Sequence, residues 1–164
     1  MCYDEDISKE MDMKRINARF EICQAEEVKS DCEYPADITL PKRGSAHSAG
    51  YDFVCPFAVE IPPHCQILIP TYIKCLSMPE DVVLKLYVRS SLGIKRHLML
   101  SNGTGIIDSD YVWCIYVSLF NFGEESVKIE AGERFVQGIF ESYVILEEDD
   151  TIKERSGGIG STGR

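Results

Sequence analysis

Along the chain, short apolar runs alternate with turn residues, and no helical spacing persists beyond about ten residues. Ala18–Cys23 alternates apolar and polar positions. Phe53–Ile61 follows a turn and ends at Pro62-Pro63, and Gln66–Cys75, rich in Ile and Leu, is broken by Met78-Pro79. Val82–Val88 alternates around Lys85. Val112–Phe120 is β-branched and aromatic, and Asn121-Phe122-Gly123 turns it into Ser126–Ile129. Ala131-Gly132 then turns into Arg134–Val144. This spacing of strands and turns predicts an all-β barrel or jelly roll. Residues 15–146 form that domain. Residues 1–14 are charged and weakly patterned, a tail or short helix, and residues 147–164 form an acidic, then Gly-rich arm.

Composition narrows the picture. The 164 residues suit one domain. The net charge of −10 argues against a nucleic-acid surface, which needs many Lys/Arg–phosphate contacts. A small anion held by a few local arginines remains compatible with it. The seven cysteines are scattered without a C-x-x-C or zinc spacing, which predicts reduced thiols packed as small hydrophobes. No stretch resembles a signal peptide, and no apolar run is long enough for a bilayer span. The expectation is a cytoplasmic protein without a membrane partner.

Several segments carry candidate chemistry beside an ordinary reading. Gly158-Ile159-Gly160-Ser161-Thr162-Gly163 spells G-x-G-x-x-G, yet only Arg164 follows, so no dinucleotide helix can form. It reads as a flexible tail or as an arm whose amides wrap phosphates beside Arg155. Asp108 and Asp110 sit two apart after a β-branched pair, on one face at strand period, with the turn Asn102-Gly103-Thr104-Gly105 upstream. That is a polar hairpin turn, or a hairpin leading into a general base. Arg89-Ser90-Ser91 at a strand end suits an oxyanion or is plain surface. Arg134 and Gln137 read first as polar strand positions, and Ala49-Gly50-Tyr51-Asp52 as a strand entry.

Taken together and in order, Ala49–Asp52 (AGYD), Arg89–Leu92 (RSSL), Asn102–Tyr111 (NGTGIIDSDY), Gly132–Gln137 (GERFVQ) and Arg155–Gly163 (RSGGIGSTG) resemble the five motifs of the trimeric, all-β deoxyuridine triphosphatases, the dUTPases. The resemblance runs from about Ile38 to Arg164. It implies a distorted jelly-roll subunit, a homotrimer with sites shared between subunits, and Mg²⁺-dependent conversion of dUTP to dUMP and pyrophosphate. Asp108 matches the carboxylate that activates the attacking water. Asn102, Gly105 and Ile106 match the hairpin that reads uracil, and Tyr111 the ring beneath the deoxyribose. Arg89, Ser90, Ser91 and Gln137 match the phosphate-contacting region. Asp52, through water, and Gln137, also indirectly, match positions near the metal. Arg155 matches the arm residue over the γ-phosphate, followed by Gly158, Ile159, Gly160, Ser161 and Thr162.

Three positions depart from the family pattern. Ser91 replaces a glycine, which bears on the backbone near a phosphate. Trp113 replaces another, as a packing change, and Ile159 stands where a phenylalanine stacks on uracil. Two other readings share the fold: a nucleotide-sensing regulator without turnover, and a dCTP deaminase. The presence of Asp108 and Arg155 speaks against the first, and Gly-Ile-Ile-Asp-Ser-Asp-Tyr against the second.

Overall fold

The computed structural model describes residues 14–153, 155, 157 and 158. In chain order the strands are β1 (Arg19–Ile22), β2 (Lys42–Arg43), β3 (Tyr51–Val54), β4 (Val59–Ile61), β5 (Gln66–Pro70), β6 (Ile73–Leu76), β7 (Val82–Val88), β8 (Leu98–Leu100), β9 (Gly105–Ile107), β10 (Tyr116–Asn121), β11 (Val127–Ile129) and β12 (Arg134–Ser142). A 3₁₀ turn (Ala25–Glu27) follows β1, and one α-helix, α1 (Ser90–Arg96), follows β7. All pairings are antiparallel. A five-stranded sheet ordered β2-β3-β12-β7-β9 faces smaller sheets β5-β10-β8, β1-β6 and β11-β4. The architecture is a distorted jelly roll around one core that includes Phe53, Ile69, Leu84, Leu86, Leu119 and Phe135.

The strand prediction holds where the alternation is clean, and β7 has the predicted bounds. Three predicted runs are interrupted. Phe53–Ile61 divides at Cys55-Pro56, and Gln66–Cys75 divides at Thr71-Tyr72, where Tyr72 adopts φ +57°. The buried Thr71 hydroxyl supports that turn by donating to the Ile115 carbonyl (2.7 Å). Val112–Phe120 becomes strand only from Tyr116. The β10–β11 turn is fixed by buried Asn121, whose amide donates to Ile61 (2.9 Å) and Glu125 (2.8 Å) carbonyls while its oxygen accepts from the Gly123 amide (2.9 Å).

Helix α1 has no counterpart among the predicted elements. It buries only Leu92 and ends with His97 in the left-handed region, its amide bonded to the Leu92 carbonyl. At the other end of the fold, β12 runs out into Val144-Ile145-Leu146, three consecutive apolar side chains exposed at 93%, 72% and 79%.

Candidate active site

Strands β3, β12 and β7 lie side by side, and their register brings three polar side chains to one face. Gln137 on β12 is paired with Asp52 on β3 and with Tyr87 on β7. Arg89, two residues beyond Tyr87, shares its face. Arg134 joins them because the chain bulges between Arg134 and Val136. In a regular strand, residues three apart point to opposite faces, and one extra residue brings both to the same side.

The Asp52 side chain is 12% exposed and is held by two guanidinium groups. Arg89 Nε lies 3.2 Å from one oxygen, and Arg134 Nη1 donates to the other at 3.1 Å. Burying a carboxylate is costly unless it is paired, and here the pairing is double. Around this core opens a polar cleft of about 340 Å³, lined also by Ser45, Ser48, Ser90 and Gln137. Gly50 leaves the Gln137 amide its room at the floor, because a Cβ there would lie 2.5 Å from Gln137 Oε1. Arg43 holds the rim by donating to the carbonyls of Ala46 (2.9 Å) and Ser48 (3.3 Å). With two guanidinium groups, hydroxyls and an amide, this donor set fits an oxyanion.

The second cluster lies beyond β9. The chain turns after Ile107, with the Tyr111 amide donating to the Asp108 carbonyl (3.1 Å). The turn, and not strand periodicity, brings Asp108 and Asp110 together. Arg155 bridges them, its Nη2 bonding Asp108 and its Nε donating to Asp110 at 2.8 Å. Its guanidinium carbon also lies 5.7 Å from the centre of the Tyr111 ring. Tyr111 is buried, donates its hydroxyl to the Cys114 carbonyl (2.7 Å) and packs edge-on against Trp113 at 5.6 Å. Burial pushes the Tyr111 phenol up to about 12, so it stays a donor at any working pH. Trp113 thus has the packing role expected of it. Gly158 passes close to the Tyr111 hydroxyl, where an added Cβ would lie at 3.7 Å.

The uracil-hairpin candidates lie upstream. Asn102 is exposed in the turn, and its carbonyl accepts from the Thr104 amide (2.8 Å). Gly105 is buried on β9 against Leu86, 3.0 Å from a hypothetical Cβ, while Ile106 points outward at 52% exposure. Ser91 occupies the exposed first turn of α1 with no positive φ, so the missing glycine imposes no strained backbone there. Ile159, Gly160, Ser161 and Thr162 lie outside the described residues.

The two clusters do not meet on one chain. Leu84 pairs with Ile107, where β9 ends and the chain turns into Asp108, whereas Arg89 lies five residues further along β7, about 16 Å at ~3.3 Å per residue. Sequence reasoning also missed part of the cleft. Arg134, Ser45 and Ser48 line it, and the bulge that recruits Arg134 leaves no mark in the composition of the strand.

The dUTPase family model matches residues 36–163. The deoxyuridine 5'-triphosphate nucleotidohydrolase of Lactococcus lactis is 41% identical over 136 residues, covering 78% of this chain and 90% of the relative. The enzyme of that name from Mus musculus is 38% identical, covering 77% and 79%. Among solved structures, a dUTPase from Streptococcus mutans superposes with a TM-score of 0.64 at 34% identity, covering 78% of this chain and 98% of that one.

Proposed function

The chain belongs to the dUTPase family, and from that premise we propose that it hydrolyses dUTP to dUMP and pyrophosphate at sites shared between the chains of a homotrimer. The observation that carries this reading is the division of its polar residues. An oxyanion cleft at Asp52, Arg89, Arg134 and Gln137 and a carboxylate cluster at Asp108 stand at different places along β7, with Arg89 about 16 Å by strand rise from the β9 pairing that leads into Asp108. Each supplies half of what phosphoryl transfer needs, and a neighbouring copy supplies the other half.

In this reading Asp108 accepts a proton from a water aimed at the α-phosphorus, as a general base. Arg89, Ser90 and Gln137 of another chain hold the phosphates, with Arg134 as an additional contact. Backbone groups of the Asn102–Ile106 hairpin pair with uracil and would face the amino group of cytosine with a donor, an unsatisfied contact when buried. The Tyr111 ring fills the space under the sugar. Residues 147–164 act as an arm, and Arg155 moves from the two carboxylates to the phosphates as substrate arrives.

The donors in the cleft suit Mg²⁺. The Asp52 carboxylate and the Gln137 amide oxygen are hard ligands on one face, and Asp52 keeps lone pairs beyond those used by the two arginines. Among the described residues no group of three or more His, Cys, Asp or Glu could hold a metal ion by itself. An ion carried mainly by the triphosphate would be touched by Asp52 and Gln137 through water. Bound there, Mg²⁺ would neutralise charge on the departing pyrophosphate.

The test is pyrophosphate release in the presence of Mg²⁺ from dUTP, dCTP, dTTP and UTP. Turnover confined to dUTP is expected. Equal turnover of dCTP or UTP would remove the hairpin and Tyr111 as selectivity elements. No turnover, with dUTP still raising Tm, would make the chain a nucleotide-binding regulator.

A further inference from the structure

Two segments close on the Thr71–Ile73 turn from opposite sides. On one side the Cys23 amide, just past β1, donates to the Tyr72 carbonyl (2.9 Å). On the other, the Thr71 amide donates to the Ile115 carbonyl (2.9 Å) and the Ile115 amide to the Ile73 carbonyl (2.8 Å). Cys23 and Cys114 therefore arrive beside the same turn, both fully buried and near enough that each thiol shifts the titration of the other. The Cys114 thiol lies against the same turn, 3.6 Å from the Ile115 carbonyl. The neighbouring Cys23 thiol draws Cys114 below the usual thiol range, while Cys23 is pushed above it by Cys114 and by burial.

The other described cysteines lack this arrangement. The Cys55 thiol donates to the Phe57 carbonyl (3.1 Å), and burial pushes Cys55 and Cys75 up to about 11. Cys32 and Cys65 are exposed.

We propose that Cys23 and Cys114 are a dithiol that closes to an intrachain disulfide, tying β1 to the segment that carries Tyr111 and Asp108. The oxidant is a low-molecular-weight disulfide. The Cys114 thiolate attacks one of its sulfurs, forming a mixed disulfide and releasing one thiol. Cys23 then gives its proton to solvent, attacks the Cys114 sulfur and expels the second thiol. Two protein thiols are oxidised, and one small disulfide is reduced to two thiols. Access comes from an opening of β1, which has four residues and pairs only with β6.

Closure has a consequence for the candidate site, and this part rests on the dUTPase reading. The Cys114 carbonyl accepts the Tyr111 hydroxyl at 2.7 Å. A disulfide brings the sulfurs to about 2.05 Å, which draws Cys114 toward β1 and away from the Ile115 carbonyl. Tyr111 then loses the fixed acceptor that orients its ring, and KM for dUTP rises.

The full-length protein is incubated with oxidised dithiothreitol, alkylated under denaturing conditions and mapped by peptide mass, with dUTP kinetics before and after. The expected result is a Cys23–Cys114 cross-linked peptide lacking two hydrogens, and a several-fold rise in KM that a reductant reverses and that Cys23→Ala does not show. Free Cys23 and Cys114 after oxidation, or links only among other cysteines, would overturn the dithiol. A mapped Cys23–Cys114 link with unchanged KM would overturn the coupling to Tyr111. Absence of turnover in the reduced protein would count against the dUTPase reading alone, since the mapping needs no activity.

Discussion

Asp52 is a charge placed where water barely reaches, and its neighbours determine what it can do. Arg89 and Arg134 each take one of its oxygens, and Gln137 sits across the strand pair. The arrangement keeps two guanidinium groups extended over a cleft that, among the described residues, is lined by no other carboxylate. It therefore prepares the site for an anion while satisfying a buried acid in the meantime. Gln137 depends in turn on Gly50, whose missing side chain is the space the amide occupies. Gly50→Ala should displace the Gln137 amide while leaving the sheet intact, because the closest contact is the end of a flexible side chain. The expected outcome is a several-fold higher KM for dUTP with Tm changed by no more than a few degrees. Unchanged KM would mean that Gln137 does not touch the phosphates.

At the level of elements, legibility followed periodicity. The alternation of Val82–Val88 was sufficient to place β7, and Arg89 at its end followed directly. Helix α1 escaped because seven residues burying a single leucine leave no amphipathic signal. The cleft was half legible for a related reason. Asp52, Arg89 and Gln137 could be named from motif order, whereas Arg134 reaches the same face only through a bulge, and Ser45 and Ser48 only through the loop that Arg43 holds. The 3₁₀ turn after β1 makes a smaller prediction. Glu27 is bonded to Lys74 at 2.6 Å, which lowers its carboxyl below the ordinary 4.5 and raises the Lys74 ammonium. A lowered acid stabilises the fold above its unfolded value and loses that contribution as pH falls through its folded value. Glu27→Gln should thus lower stability by at most about 1 kcal/mol near pH 7, given the exposure of the pair. The gap between variant and wild type should close as pH drops below about 4.5. A gap that persists at pH 3 would assign the loss to packing instead.

For the molecule as a whole, one chain carries two polar clusters and an uncovered apolar strip. Val144-Ile145-Leu146 projects from the end of β12 with most of its surface in water, which a copy of the chain would cover in an assembly. The proposed division of Asp108 and Arg89 between neighbouring chains makes the same demand from chemistry, since the two groups lie at different places along β7. A mixing experiment tests this directly. Asp108→Asn removes the base and Arg89→Ala a phosphate contact, so each variant alone should show almost no turnover. Mixed, denatured and refolded together in equal amounts, they form some interfaces that join an intact Asp108 to an intact Arg89. If each site takes one residue from each of two neighbours in a closed ring, about a quarter of wild-type turnover should return. A site completed within one chain would recover nothing, because no chain in the mixture carries both groups. A sedimentation mass of one subunit, with wild-type activity intact, would likewise place the whole site on one chain and would leave the exposed strip without its partner.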